Sequence, residues 1–120
     1  MANPVCHFEF MVSDLEKARK FYSSVFDWKF GDMSLPGMPY LSIDTGTPPG
    51  GGMMKKPASA PMYGLGTYFL VDSLDETMKR AAAAGGSVQI PKMEIPSIGW
   101  WGLFMDPDGI PVMVFESLEK

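Results

Sequence analysis

The feature that most constrains the fold of this chain is an internal repeat. The string V-S-D-L-E beginning at Val12 is echoed by V-D-S-L-D beginning at Val71, 59 residues further along. In both places the string joins a segment with strand periodicity to a segment with helical periodicity. The repeat indicates two copies of one supersecondary unit, neither of which buries its own sheet alone.

The first copy begins with a predicted strand over residues 5–12, whose side chains alternate between two faces. One face is aromatic and aliphatic and is predicted to pack under a helix. The other face carries His7, Glu9 and Met11. Ser13 and Glu16 have the spacing of a capping box, which predicts that a helix begins directly after the strand.

The remaining segments complete the same pattern in both copies. In the first copy, short strands are predicted at residues 28–31, 39–45 and 51–54. In the second copy, a strand at 67–71 precedes a helix at 74–84 that ends at Gly85-Gly86. Its later strands are predicted at 87–90, 99–105 and 110–116, and the turn Asp106-Pro107-Asp108-Gly109 joins the last two. Each half therefore reads β-α-β-β-β.

Composition bounds the class of protein. A chain of 120 residues, 46% hydrophobic and 20% charged, suffices for one domain with its own core. It has no apolar run as long as a membrane helix, and the net charge of −4 argues against a nucleic-acid partner. The N-terminal segment lacks the pattern of a secretory signal, and the single cysteine, Cys6, fits a reducing compartment. We therefore predict a cytoplasmic protein that binds neither membrane nor nucleic acid.

Three features of the sequence are informative in combination. They are the tandem βαβββ modules, the string V-S-D-L-E-K-A-R-K-F-Y from Val12, and the D-P-D-G turn before the last strand. In this order they resemble the vicinal-oxygen-chelate superfamily of glyoxalases, bleomycin resistance proteins and extradiol dioxygenases. The resemblance implies an α+β fold whose two modules form a curved, mostly antiparallel sheet around a ligand-binding cleft. It implies one domain over residues 1–120, with module one at about 4–55, a linker at about 55–64 and module two at about 65–117. It also implies a homodimer, with or without exchange of modules.

The resemblance further implies a place for a divalent metal ion. Metal-dependent members hold the ion at four inward positions, and His7, seven residues before Asp14, matches the first. The other positions fall on residues that such an ion does not favour, namely Met53 or Met54, Gly66 or Thr67, and Met113. Glu116 lies three residues beyond Met113, so strand alternation turns it to the opposite face. We expect no cofactor, with zinc, nickel, manganese or iron at His7 as the alternative.

His7 and Glu9 are the candidate catalytic residues, because they share one face of the first strand. Imidazole titrates near neutral pH and burial raises the pKa of a carboxyl group, so the pair could act as acid and base. The alternative interpretation is a polar pocket histidine that is hydrogen-bonded to a neighbour.

Methionines and tryptophans recur at positions that we predict to face the cleft. Flexible thioether side chains suit an adaptable pocket for an apolar ligand, although they could equally form a soft core. Trp100 and Trp101 are adjacent on one strand, so one of them reaches the cleft and the other packs against the helix layer. The candidate ligand-binding residues are Met11, Met53, Met54, Trp100, Trp101 and Met113.

Three functions are compatible with these residues. The favoured one is a glyoxalase- or bleomycin-resistance-like protein that binds a small apolar or aromatic molecule between the modules, without metal. The alternative is a metal-dependent lyase or isomerase using His7, similar to glyoxalase (lactoylglutathione lyase). A dioxygenase is the weakest, because it needs iron held by two histidines and a carboxylate and the chain has one histidine.

Overall fold

The computed structural model describes residues 2–34, 36–57 and 64–119. The chain divides into two compact units, an N-terminal unit of Cys6–Gly66 and a C-terminal unit of Thr67–Lys120 with Met1–Val5. Most of the predicted linker, residues 58–63, lies outside the described residues.

The N-terminal unit places one helix against a four-stranded sheet. Its elements are β1 (Val5–Val12), α1 (Leu15–Val25), β2 (Lys29–Asp32), β3 (Tyr40–Asp44) and β4 (Gly51–Lys55). The strands lie in the order β2-β3-β4-β1, with β1 parallel to β4 and the other pairs antiparallel. The strand β4 therefore lies between β1 and β3, and this position decides the geometry of the candidate site.

The C-terminal unit repeats this arrangement. Its elements are β5 (Gly64–Leu70), α2 (Leu74–Ala83), β6 (Ser87–Ile95), β7 (Gly99–Met105) and β8 (Pro111–Ser117). The strands lie in the order β5-β8-β7-β6, again with one parallel pair, β5 with β8, and two antiparallel pairs. The predicted α+β class and the two βαβββ modules are confirmed.

The helix starts show why the repeat is visible in the sequence. Asp14 and Ser73 are the N-caps, 59 residues apart, and their side chains accept hydrogen bonds from the backbone nitrogens of Lys17 and Glu76. Short polar side chains at this position satisfy an otherwise unpaired helix N–H. The prediction that Ser13 caps α1 is therefore wrong by one residue. Neither helix in the described part of the chain is long and apolar enough to cross a membrane.

The strand β6 differs most from its prediction. It continues to Ile95, five residues past the predicted end at residue 90. Proline cannot donate to a sheet ladder, and the strand continues through Pro91 with register irregularities between Val88 and Ile90 and between Ile90 and Met93.

Aromatic side chains hold α1 against the sheet of the N-terminal unit. The Tyr22 and Phe10 ring centroids are 4.9 Å apart, and Tyr22 stacks on Trp28 at 5.7 Å. Phe8 lies 6.0 Å from Phe10 and 6.1 Å from Trp28. The Phe8 and Phe10 face of β1 is therefore the packed face, as predicted, which leaves His7 and Glu9 on the other side.

Candidate functional site

His7, Glu9 and Tyr40 form one hydrogen-bonded group in the N-terminal unit, which we call the His7–Tyr40–Glu9 group. The Tyr40 hydroxyl donates to Glu9 Oε2 at 2.8 Å. His7 Nε2 lies 2.9 Å from the same hydroxyl oxygen. Glu9 is only 7% exposed, whereas His7 and Tyr40 are half-buried. A largely buried carboxylate therefore has a neutral hydroxyl as one of its hydrogen-bond donors.

The direction of these bonds determines the tautomer of His7. A tyrosine hydroxyl has one proton, and in this group Glu9 accepts it. The hydroxyl oxygen then presents only lone pairs to the imidazole, so Nε2 carries a proton and donates to it. Neutral His7 is thus held as the Nε2–H tautomer.

Strand register explains how three strands build this group. Glu9 on β1 is in register with Gly52 on β4, and Gly52 is in register with Ser42 on β3. Tyr40 itself is in register with Met54. Because β4 lies between β3 and β1, the Tyr40 side chain crosses β4 to reach Glu9.

Burial sets the protonation of the titratable side chains at the start of β1. It lowers the pKa of His7 below its usual value of 6.5, because the imidazolium ion loses hydration inside the unit. His7 is therefore neutral at pH 7 and able to accept a proton. Burial also raises the pKa of the Cys6 thiol, which keeps this neighbour protonated and a poor nucleophile.

Stability is expected to fall as the pH is lowered through the titration of His7. The pKa of His7 is lower in the folded chain than in the unfolded chain, so the unfolded chain takes up the proton first. This stabilisation is fully present above about pH 6.5 and is lost as the pH falls through the folded-state pKa. Urea unfolding at pH values on both sides of this range measures the slope. His7 is the only histidine, so His7→Gln should remove this contribution, and an unchanged slope would contradict the assignment.

Two of the predicted methionines lie beside the His7–Tyr40–Glu9 group. Met11 and Met54 are register partners on β1 and β4, and Met54 is also in register with Tyr40. Register partners point to the same side of a sheet. Both methionines are half-buried, so they border the polar group with flexible apolar walls.

Met53 lies on the opposite face, which corrects the prediction that it faces the candidate site. Its register partner on β1 is Phe10, and it is 0% exposed. Two residues earlier, a side chain at Gly51 would meet the Phe8 ring at 2.4 Å, so this side of β4 is the packed one. Consecutive strand residues point to opposite faces, and Met53 is therefore a core residue.

Trp100 lies on the α2 side of the C-terminal sheet, which corrects its predicted place in a ligand-binding face. It packs against the buried cluster of Val71, Leu74, Met78 and Val114. Lys92 Nζ lies 5.0 Å above its ring. This placement is the helix-layer packing that was expected for one of the two adjacent tryptophans.

Trp101 lies on the other face of the same sheet. Its ring is 6.3 Å from the Tyr68 ring in an edge-to-face arrangement, and Tyr68 is in register with Met113. Met113 is 1% exposed. Trp101 and Met113 therefore share a face with Tyr68 in the C-terminal unit, and His7 and Glu9 belong to the N-terminal unit.

Tyr40 is the site residue that the sequence prediction missed. Two signals could have found it. Along the predicted strand at residues 39–45, Tyr40 and Ser42 alternate with Leu41 and Ile43, which places Tyr40 on the more polar face. Glycines inside a strand mark a close approach of another group, and Gly51-Gly52 is such a pair.

The donor set here does not fit a divalent ion. Across residues 2–34, 36–57 and 64–119, no three His, Cys, Asp or Glu side chains come together as a ligand group. His7 and Glu9 are both engaged by Tyr40. Glu116 accepts a hydrogen bond from the Leu74 backbone nitrogen at 2.7 Å, on the α2 side, which confirms that it faces away from Met113.

Two βαβββ units with this strand order are the architecture of the vicinal-oxygen-chelate fold. The chain belongs to the Glyoxalase/Bleomycin resistance protein/Dioxygenase superfamily, whose family model matches residues 5–114. CFP32 of Mycobacterium tuberculosis, a protein that carries a glyoxylase name, is 32% identical over 102 residues, which are 84% of this chain and 39% of that protein. The chain thus spans about two fifths of the length of this relative.

Solved structures agree on the fold. The hypothetical protein BH1468 from Bacillus halodurans has a TM-score of 0.79 at 15% identity, with 100% of this chain and 98% of that chain covered. Methylmalonyl-CoA epimerase from Mycobacterium tuberculosis has a TM-score of 0.73 at 14% identity, with 94% and 87% covered. At these identities the likeness establishes the fold alone.

Proposed function

We propose that the His7 face of the N-terminal unit binds a small molecule with an apolar or aromatic body and one polar group, without a metal ion. The observation that carries the proposal is the Tyr40 hydroxyl held between His7 and Glu9 at 2.9 and 2.8 Å. Small-molecule sites combine a few convergent polar groups with apolar walls. Met11 and Met54 supply such walls beside the polar group.

The polar group suits a ligand that carries a hydroxyl or carbonyl group. A ligand hydroxyl can donate to the Tyr40 oxygen, and a ligand carbonyl can replace Glu9 as the acceptor of the Tyr40 proton. The methionine side chains adapt to the rest of the ligand. Neutral His7 is also a competent proton acceptor. Proton transfer at a bound carbonyl compound requires a base of this kind within hydrogen-bond reach.

Methionine-methyl NMR tests the proposal. In protein labelled at the methionine methyl carbons, a panel of small carbonyl and aromatic compounds is titrated, with assignments from single Met→Leu variants. A bound compound is expected to shift the Met11 and Met54 signals together and saturably. Met53, next to Met54 but on the packed face, is the internal control. A panel without a saturable shift at Met11 or Met54, or with its largest shift at Met53, would count against the proposal.

The alternative is a metal-dependent lyase or isomerase that uses His7. Its support is the family membership and the place of His7 at the first ligand position of the resemblance. Against it stands the donor set, since residues 2–34, 36–57 and 64–119 bring no three His, Cys, Asp or Glu side chains together as a ligand group. Elemental analysis of protein purified without added metal separates the two, since this alternative requires about one ion per chain, lost on His7→Ala.

A further inference from the structure

We infer that Gly52 is a positioning residue of this site, because the absence of a side chain there seats the Tyr40 hydroxyl between His7 and Glu9. That this site binds a ligand rests on the proposed function. The position of the Tyr40 hydroxyl over Gly52 does not depend on a ligand, and it is tested in the free protein.

The Tyr40 side chain crosses a neighbouring strand to reach its acceptor. Tyr40 belongs to β3, its acceptor Glu9 belongs to β1, and β4 lies between them. Neighbouring strands are about 4.8 Å apart, so the phenol has to pass over the β4 backbone to bring its hydroxyl to β1. Gly52 is the β4 residue in register with Glu9, and it is therefore the residue over which the hydroxyl comes to rest.

A side chain at Gly52 would overlap the Tyr40 phenol. A β-carbon on Gly52 would lie 1.8 Å from the Tyr40 hydroxyl oxygen, 2.2 Å from Cζ and 2.5 Å from Cε1. Three consecutive atoms of the phenol would overlap it, so a small rotation of the ring does not relieve the contact. The whole ring would have to leave, and both hydrogen bonds of the hydroxyl would be lost with it.

The backbone conformation at residue 52 does not require glycine. Gly52 lies in an ordinary strand conformation, where glycine is less favourable than most residues. At Gly51, on the packed face, glycine is required because a β-carbon would overlap the Phe8 ring. At Gly52 the three atoms nearest to an added β-carbon all belong to Tyr40. Gly52→Ala therefore tests the position of this one side chain.

The test is an NMR measurement of the imidazole nitrogens in protein labelled with ¹⁵N-histidine. The chain has one histidine, so one pair of nitrogen signals reports the tautomer of His7. Wild type is expected to show the Nε2–H tautomer. Gly52→Ala is expected to move the two nitrogen signals away from their wild-type positions to the same extent as Tyr40→Phe, which lacks the hydroxyl. Wild-type signals in a folded Gly52→Ala protein would overturn the inference.

Gly31→Ala is the matched control. Gly31 is in register with Ser42, on the same face of the sheet, and the contact of its added methyl group would be the flexible Ser42 hydroxyl oxygen at 2.7 Å. The His7 nitrogen signals of the Gly31→Ala protein are expected to match those of wild type. Signals that change as much as in Gly52→Ala would show that any methyl group on this face disturbs His7, and would overturn a specific role for Gly52.

A second measurement covers the case in which Gly52→Ala does not fold. In a Tyr40→Ala background the obstructed ring is absent, so adding Gly52→Ala is expected to leave the urea midpoint of unfolding unchanged or slightly raised. An equal loss of stability with and without Tyr40 would overturn the inference. Both measurements are made on the free protein, so a failure of the ligand panel would refute the proposed function and leave this result standing.

Discussion

Replacing Glu116 by alanine is expected to lower the free energy of unfolding by about 3 kcal/mol. Glu116 is 7% exposed, and its carboxylate accepts a hydrogen bond from the backbone nitrogen of Leu74, the first residue of α2. Leu74 is itself 0% exposed. The truncation leaves a buried N–H without this acceptor and removes a negative charge from the positive end of the helix dipole. Urea unfolding at pH 7 measures the loss.

Two variants separate the causes of this loss. Glu116→Gln keeps an oxygen acceptor but not the charge, and is expected to cost about 1 kcal/mol. Glu119→Ala removes an exposed glutamate three residues further along and is expected to change stability by less than about 0.5 kcal/mol. A Glu116→Ala protein as stable as the Glu119→Ala control would show that α2 does not depend on this hydrogen bond.

Local patterns predicted the helices and strands of the described residues, although the cap of α1 was placed one residue early, at Ser13, and β6 was ended at residue 90. The starts of α1 and α2 follow from a polar cap and an apolar residue in consecutive positions, Asp14-Leu15 and Ser73-Leu74. Both helix starts depend on contacts within one helical turn, and the spacing of residues in the sequence is enough to predict such contacts. The end of β6 was mispredicted for the complementary reason. Bulges opposite β7 keep that strand paired, and pairing between strands leaves no trace in local spacing.

Which face a side chain occupies was harder to predict, because alternation relates neighbours without assigning a face. The sequence shows that Met53 and Met54 point in opposite directions, and likewise Trp100 and Trp101. The assignment comes from partners distant in the chain: Phe10 is in register with Met53, and the cluster around Leu74 packs on Trp100.

The group at the candidate site is the extreme case of this dependence. His7 and Glu9 were found because they share one strand, whereas Tyr40 is 33 residues from His7 and reaches it only across β4. Strand order and register are needed before Tyr40 can be placed beside them. The Gly51-Gly52 pair is the local sign of that crossing, and its meaning depends on which side chains approach it.

Replacing Tyr40 by phenylalanine is expected to lower the free energy of unfolding by about 2 kcal/mol. The ring keeps its place over Gly52, but Glu9 loses a donor and His7 loses an acceptor. Glu9→Gln removes the charge that strengthens the Tyr40–Glu9 bond, and is expected to cost a similar amount, about 1–2 kcal/mol. Urea unfolding of both variants, with Tyr22→Phe in the aromatic cluster as the matched control, measures these losses.

The double variant decides whether these residues act as one unit. Because Tyr40 and Glu9 share one hydrogen bond, the combined loss is expected to fall short of the sum by about 1 kcal/mol, whereas Tyr22→Phe with Glu9→Gln should be additive. Strict additivity for Tyr40 and Glu9 would contradict the shared bond. The same logic extends to function. For a compound that shifts Met11 and Met54, Tyr40→Phe, Glu9→Gln and the double variant should each weaken binding by a similar factor, about tenfold, since each disables the same polar group.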